Sequence, residues 1–103
     1  MHVVIVGGGL VGSSLAQKLS GDGHDVVLVE QDRELVSELN DRLDVQTICG
    51  NGATVPVLLQ AGIENCDLLL ATTDSDEVNM VVALVGSTLF KVPRVVARLR
   101  DPG

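Results

Sequence analysis

The sequence predicts an α/β domain with a doubly wound parallel sheet, and three observations support this fold class. Short aliphatic runs rich in β-branched residues alternate with segments of helical periodicity along the chain. The runs are largely apolar throughout, as is expected of parallel strands buried on both faces. A glycine cluster directly follows the first run, where such a sheet makes its first turn into a helix. With 103 residues, the chain fits one domain, residues 1–103, and leaves no room for a second lobe.

The aliphatic runs predict five strands. Because a helical segment separates each strand from the next, right-handed crossovers place helices on both faces of the sheet. The expected strand order is 3-2-1-4-5, and the ligand crevice is expected between strands 1 and 4, where the winding reverses. The sixth strand of a full dinucleotide-binding fold is expected to be absent. The predicted strands are His2 to Val6, Val26 to Glu30, Val45 to Cys49, Asp67 to Thr72 and Arg94 to Arg98.

The segments between the strands predict four helices. The first two carry leucine or valine at intervals of four, which gives each an apolar stripe that faces the sheet. Asp32 is a candidate N-cap of the second helix and Thr54 of the third. The third tolerates Pro56 in its first turn and ends before Gly62. The predicted helices are Leu10 to Leu19, Arg33 to Leu43, Val55 to Ala61 and Asp76 to Phe90.

Composition and charge exclude several kinds of partner. The net charge of -7 repels a phosphate backbone, and the absence of Trp and Tyr removes stacking platforms, so no nucleic-acid partner is expected. Cys49 and Cys66 are isolated, which predicts neither a disulfide framework nor a metal site and suits a reducing cytoplasm. The longest apolar run, Val78 to Phe90, falls short of the ~20 residues that span a bilayer, so no direct membrane insertion is expected.

The sharpest motif is G-x-G-x-x-G, formed by Gly7-Gly8-Gly9-Leu10-Val11-Gly12 directly after a buried strand. Gly7 allows the tight turn, Gly9 lets the backbone approach a pyrophosphate, and Gly12 lets the helix pack closely on the sheet. The helix N-terminus then offers N–H groups and a positive dipole to the phosphates. The motif predicts a Rossmann-like nucleotide site, and the alternative is a glycine turn that merely packs.

Glu30 closes the second strand, 18 positions after Gly12, close to the ~20 expected for the acid that binds ribose hydroxyls. A carboxylate there accepts hydrogen bonds from the 2′-OH and repels a 2′-phosphate. NAD or NADH is therefore favoured over NADP, and ADP and ATP, which carry the same ribose, remain allowed. The alternative is a solvated charge at a strand end.

Polar residues follow the other strands at the same edge of the sheet. Asn51 follows strand 3, Thr73 and Asp74 follow strand 4, and Arg98 ends strand 5. The first three are candidate ligand contacts, although the same residue types dominate ordinary turns. Arg98 is on spacing alone a solvated terminal charge, although an arginine at this edge can reach a phosphate.

Several segments resemble the nucleotide-binding TrkA-N domains of the KTN/RCK group, the cytoplasmic regulators of potassium channels and transporters. The more specific ones are GNGA at residues 50–53 and TTDSDEVNM at residues 72–80. The others are residues 4–12, residues 29–32, Ala61-Gly62-Ile63, Ala97-Arg98 and Arg100-Asp101-Pro102. Together they cover nearly the whole chain. Domains of this family continue into a fifth helix and a sixth strand, so the resemblance implies that the chain is a fragment of a longer regulatory subunit.

The resemblance implies a nucleotide sensor without catalytic or metal-binding residues. NAD, NADH or an adenine nucleotide would bind the crevice, and a homo-oligomer would change shape to gate a membrane-embedded potassium transporter subunit from the cytoplasmic side. The roles that it implies are pyrophosphate binding by Gly7, Gly8, Gly9, Leu10 and Val11, the adenosine ribose at Glu30, the adenine side at Asn51, the far ribose at Thr73 and Asp74, and a phosphate or crevice contact at Arg98.

The alternative function is the NAD-binding half of an oxidoreductase whose substrate domain is missing. The fold alone does not decide between a nucleotide sensor and an oxidoreductase. Hydride transfer to a carbonyl requires a proton donor, yet His2 opens the first strand and His24 lies before the second, both at the edge opposite the crevice. The chain has no Tyr, which excludes a Tyr-Lys catalytic pair.

The fourth predicted helix indicates a partner surface. From Val78 to Val85 every residue except Asn79 is apolar, and Leu89 and Phe90 follow. A helix that is apolar on nearly all sides leaves one side exposed after it has packed on the sheet. That side is expected to form an oligomer interface or to be covered by C-terminal elements that this chain lacks.

Overall fold

The computed structural model describes residues 1–100, so Asp101 and Pro102 of the family-like C-terminal segment lie outside the described residues. Within that range the chain forms a five-stranded parallel sheet in the order 3-2-1-4-5, as the alternation predicts. The strands are β1 (His2–Val6), β2 (Asp25–Glu30), β3 (Gln46–Cys49), β4 (Leu68–Ala71) and β5 (Arg94–Ala97), and the helices are α1 (Leu10–Gly21), α2 (Arg33–Arg42), α3 (Val55–Gln60) and α4 (Asp76–Thr88), with a 3-10 turn at Ile63–Asn65.

Alternate residues of the central strands pack into two separate cores. Val4 and Val6 of β1 face a core that α3 and α4 cover, whereas Val3 and Ile5 face a core that α1 and α2 cover. All four β1 side chains are at most 3% exposed. Burial on both faces explains why the strand sequence is apolar throughout and confirms that the sheet is doubly wound.

Predicted and observed boundaries coincide at half of the strand and helix ends and differ by one or two residues at the others. Thr72 and Arg98, predicted as strand ends, lie just beyond β4 and β5, although their amides still bond Val6 O at 2.8 Å and Ala71 O at 2.9 Å. Helix α4 ends at Thr88 rather than Phe90, because the chain reverses at Lys91, whose φ of 54° is left-handed.

The three predicted helix ends are confirmed in position. Asp32 caps α2, since its Oδ1 accepts hydrogen bonds from Glu34 N at 3.0 Å and Leu35 N at 3.3 Å. Gly62 follows α3 with a left-handed φ of 84°. Thr54 is the N-cap residue of α3, as predicted, but its side chain makes no capping hydrogen bond. Its hydroxyl instead donates to the Asn51 carbonyl at 2.7 Å, which draws it back into the preceding turn.

Residues 1–100 contain neither a candidate membrane span nor a candidate metal cluster. No helix in this range is long and apolar enough to cross a bilayer. In the same range, no group of three or more His, Cys, Asp or Glu side chains is arranged to hold a metal ion.

Candidate functional site

A crevice of about 580 Å³ lies at the carboxyl ends of the parallel strands, where the winding reverses between β1 and β4. Its volume falls within the range of small-molecule sites, roughly 300–1,000 Å³. Nine of the ten predicted site residues line it, and Gly8 does not. The predicted residues in the lining are Gly7, Gly9, Leu10, Val11, Glu30, Asn51, Thr73, Asp74 and Arg98.

Two glycines of the loop after β1 are required by packing. Gly7 has a φ of 110°, and a Cβ there would lie 2.7 Å from the backbone nitrogen of Thr73. A Cβ on Gly12 would overlap the carbonyl oxygen of Gly7 and lie 2.8 Å from Thr72 Oγ1. These contacts bring the loop, the start of α1 and the end of β4 together with no space for side chains, as predicted for the turn and packing positions.

Gly9 differs from these two glycines. A Cβ there would meet no heavy atom of the described residues within 4 Å, and the backbone is extended at φ −67° and ψ −163°. Neither strain nor packing within the described chain therefore requires glycine at this position. Because Gly9 lines the crevice, the space that its missing side chain leaves open is available to a ligand.

The N-terminus of α1 opens onto the same space. Among residues 1–100, no side chain caps this helix at Gly9, and its first turn contains no acidic residue. By contrast, Asp32 caps α2 and Ser75 caps α4 with their own side chains. The first-turn amides of α1 and the positive end of its dipole are thus left for a bound anion. Leu10, at the first position, is 85% exposed.

Glu30 is held in a fixed orientation at the edge of the crevice. Its Oε1 accepts a hydrogen bond from Gly8 N at 2.8 Å, and its Oε2 accepts one from Asp32 N at 2.7 Å. Each carboxylate oxygen can still accept a further hydrogen bond. The amide of Gly8 therefore helps to orient the Glu30 carboxylate. A Cβ on Gly8 would lie 2.6 Å from Leu39 Cδ1 and 3.3 Å from Glu30 Cγ.

Asn51 lines the crevice from the turn after β3. Its Oδ1 accepts a hydrogen bond from Ala53 N at 2.9 Å, and its carbonyl accepts from Thr54 N at 3.1 Å. The side-chain oxygen of Asn51 thus stabilises the turn, which is the alternative role that the sequence allowed for this residue. A contact between Asn51 and adenine stays a prediction.

Thr73, Asp74 and Arg98 form the far side of the crevice, across from Glu30. The hydroxyl of Thr73 donates to Asn79 Oδ1 at 2.7 Å and to the carbonyl of Ser75 at 3.1 Å, so it is engaged within its own loop. Arg98 Nη1 lies 4.0 Å from Asp74 Oδ1. A weak ion pair between the half-buried Arg98 and the exposed Asp74 leaves both charges available to a ligand.

Sequence reasoning missed two residues that shape this site. The hydroxyl of Thr72 is buried and donates to the carbonyls of Val6 at 3.2 Å and Gly7 at 3.1 Å, which ties β4 to the glycine loop. Asn79 is fully buried in α4 and bonds to both Thr73 and Arg98. The available signal was that Asn79 is the one polar residue in an otherwise apolar stretch.

Both histidines lie at the opposite edge of the sheet, as predicted. His2 Nδ1 is 3.2 Å from Asp25 Oδ2, and His24 Nδ1 is 3.2 Å from the terminal nitrogen of Met1. Among residues 1–100, the crevice lining contains no His, Cys, Lys or Tyr side chain. Histidine, the side chain that most often transfers protons in enzymes, is therefore missing from this lining, whose acidic side chains are Glu30, Asp32 and Asp74.

Known proteins resemble this chain in sequence and in fold. The TrkA-N domain family matches residues 3–103. The Trk system potassium uptake protein TrkA of Halomonas elongata is 43% identical over 100 residues, which are 97% of this chain and 22% of that protein. The chain thus spans about a fifth of the length of this relative.

Among solved structures, the TrkA-N domain of the Escherichia coli inner membrane protein ybaL is 28% identical with a TM-score of 0.85, over 94% of this chain and 71% of that one. The GsuK channel bound to NAD is 21% identical with a TM-score of 0.80, over 92% of this chain and 17% of that one, and at this identity it shows the fold alone. The family match over almost the whole sequence shows that the chain belongs to the TrkA-N domain family.

Proposed function

We propose that this domain binds NAD or NADH, or an adenine nucleotide such as ADP or ATP, and is the nucleotide-sensing part of a potassium-uptake system. The observation that carries the proposal is the fixed carboxylate of Glu30 at the edge of a crevice onto which the uncapped N-terminus of α1 opens. This pair of features fits an anion next to a diol. The relatives of this chain, which include a potassium uptake protein and a channel bound to NAD, support the same function.

In this proposal, different residues of the crevice bind the phosphates and the ribose. The amides of Gly9, Leu10 and Val11 donate to the pyrophosphate, and Gly9 leaves the space that the phosphates need. The two oxygens of Glu30 accept hydrogen bonds from the ribose 2′ and 3′ hydroxyls while they hold Gly8 and Asp32. A 2′-phosphate would place negative charge against this carboxylate, so NAD is preferred over NADP.

Calorimetric titration of the domain with NADH, NAD, ADP and ATP tests the proposal. Saturable binding of at least one is expected, and binding of none would overturn it. Glu30→Ala should weaken NADH binding roughly 10- to 100-fold, because hydrogen bonds to a charged group are lost. Glu30→Arg should gain tolerance for NADPH. Glu38→Arg, the same charge change at an exposed position of α2, is the control and should alter neither preference.

The sensor reading includes no catalytic step. The crevice lining within residues 1–100 holds no His, Cys, Lys or Tyr to donate a proton beside a nicotinamide, and this observation favours binding without turnover over an oxidoreductase half. The domain would act as a peripheral regulator on the cytoplasmic face of a membrane potassium transporter and would gate it by a nucleotide-dependent change of shape. Steady NADH oxidation by the longer protein with a small carbonyl substrate would contradict this role.

A second copy of the chain is the proposed partner of the exposed face of α4. Met80 is 58% exposed and Leu84 61%, and both line an apolar groove with Glu77 and Val81. A contiguous apolar surface on a charged domain is typical of an interface. Light scattering should show a dimer or larger species, which Leu84→Glu dissociates.

The matched control is Leu59→Glu, since Leu59 on α3 is also exposed but lies outside this groove. It should leave the oligomer intact. A monomer at every concentration would contradict self-association and would indicate that other segments of a longer protein cover this face.

A further inference from the structure

Asn79 is a fully buried polar side chain whose hydrogen-bonding capacity is completely used. Its Oδ1 accepts from Thr73 N at 2.9 Å and from Thr73 Oγ1 at 2.7 Å. Its Nδ2 donates to the carbonyl of Thr73 at 3.1 Å and to the carbonyl of Arg98 at 2.8 Å. A primary amide has two acceptor sites and two donors, and all four are satisfied here.

These four bonds join two segments that are far apart in sequence. Thr73 belongs to the loop between β4 and α4, and Arg98 follows β5. Arg98 is also held through its own amide, which donates to Ala71 O at 2.9 Å. Asn79 is therefore the side chain of α4 that joins the loop at Thr73 to the main chain at Arg98 on the far side of the crevice.

The opposite side of the crevice is held by other means. Backbone amides of Gly8 and Asp32 orient Glu30, and Asn51 is closed into a turn with Ala53. Neither arrangement includes Asn79. A change at Asn79 thus acts on one half of the crevice and spares the half that faces an adenosine.

We infer that Asn79 is a positioning residue for the part of a dinucleotide that lies beyond the adenosine. This inference rests on the proposed nucleotide binding and deepens it. Asn79 itself reaches no ligand, because it is buried. It sets the loop at Thr73 and the main chain at Arg98 so that the side chains of Asp74 and Arg98 meet the second ribose and its phosphate together.

A second connection between the same segments lies at the surface. Arg100 Nη2 donates to the carbonyl of Asp74 at 2.6 Å, and Arg100 N donates to Asp76 Oδ1 at 3.0 Å. Arg100 is exposed, so its side chain can be removed without disturbing the core. Substitution of Arg100 therefore tests the link between the loop after β4 and the segment after β5 without destabilising the fold.

The decisive variant is Asn79→Asp, which keeps the size and the oxygen that accepts from Thr73. The oxygen that replaces Nδ2 would face the carbonyls of Thr73 and Arg98, so the link to Arg98 is lost. Calorimetry should give a roughly tenfold weaker NADH affinity, while the AMP affinity stays within about twofold, since AMP lacks the second ribose. Asn65→Asp, the same change at an exposed position, should leave both affinities unchanged.

Each outcome decides between a positioning role and a merely structural one. Equal loss of NADH and AMP binding would mean that Asn79 only supports the fold, and unchanged NADH binding would also overturn the inference. Absence of NADH binding by the unmodified domain would overturn the inference alone, whereas absence of binding of NADH, NAD, ADP and ATP would refute the proposed function itself. If circular dichroism shows Asn79→Asp unfolded, Arg100→Ala decides. Roughly threefold weaker NADH binding with unchanged AMP binding supports the inference, and no change in either refutes it.

Discussion

Alanine substitutions in the glycine loop separate nucleotide binding from folding. At Gly9, an alanine Cβ meets no described heavy atom within 4 Å, and the extended backbone carries no strain. Alanine is a poorer N-cap than glycine by about 0.5–1 kcal/mol, and its stiffer unfolded chain returns about 0.4–1 kcal/mol. The free energy of unfolding should therefore change by less than about 0.5 kcal/mol. NADH affinity should fall at least about tenfold, because the methyl group occupies the approach of the phosphates.

Alanine at Gly12, in contrast to Gly9, should lower the stability of the fold. Alanine in a helix gains about 1 kcal/mol over glycine, but the Cβ overlaps the Gly7 carbonyl oxygen and crowds Thr72 Oγ1. Overpacking against backbone that cannot move away typically costs about 1–3 kcal/mol, and this contact, being with main chain, lies at or above the upper end. A net loss of about 2 kcal/mol lowers the melting temperature of a domain this size by roughly 8–16 °C.

Thermal unfolding followed by circular dichroism, together with NADH titration of each folded variant, measures both quantities. Gly21→Ala is the control, because a Cβ at the end of α1 also meets no described atom within 4 Å and lies away from the crevice lining. It should preserve NADH affinity and should not lower the melting temperature, since alanine is favoured over glycine in a helix. Gly9→Ala binding NADH as tightly as the unmodified domain would refute phosphate binding by the loop. Gly12→Ala melting at the unmodified temperature would refute the packing argument.

Further predictions concern the cysteines and two polar contacts. Burial raises the pKa of the Cys66 thiol, so a thiol reagent at neutral pH should label only the exposed Cys49. As pH rises, the Cys66 thiol therefore loses its proton in the unfolded chain before it does in the folded chain. The free energy of unfolding, measured by urea titration, should fall as pH rises above the ordinary thiol pKa of 9.0, and Cys66→Ala should not show this fall. Asp32→Ala removes the α2 cap and should cost about 1 kcal/mol in urea unfolding; no loss would contradict the cap assignment. Thr72→Val should cost about 1–3 kcal/mol, since the buried carbonyls of Val6 and Gly7 lose a donor, and a neutral result in the same assay would contradict that bond.

The features that the sequence predicts correctly are those set by local sterics or by chain topology. Strand order follows from alternation and the handedness of crossovers, and it is confirmed. The positions of Gly7 and Gly12 follow from the close approach of three backbone segments. The position of Glu30 at the edge of the sheet follows from its spacing after the glycine motif, because a strand rises by a fixed distance per residue and its last residue therefore lies at that edge.

The features that escaped prediction depend on contacts between residues distant in sequence. Gly8 was predicted to bind phosphate, but its amide turns toward Glu30, 22 residues away. Asn79 bonds to Arg98 across 19 positions, a pairing that becomes visible only when β5 lies beside β4.

Helix α4 connects the two surfaces on which the proposed function depends. Asn79 points inward to the loop of the crevice, while the neighbouring Met80 and Leu84 are exposed on the face proposed to meet a second copy. If the 13 residues of α4 move as a rigid unit, Asn79 would carry a displacement of the loop at Thr73 to the apolar face. If a nucleotide favours one position of α4, it favours one subunit arrangement, and subunit contact must alter nucleotide affinity by the same factor. Under the proposed function, a domain of 103 residues would thereby regulate its partner through nucleotide binding alone.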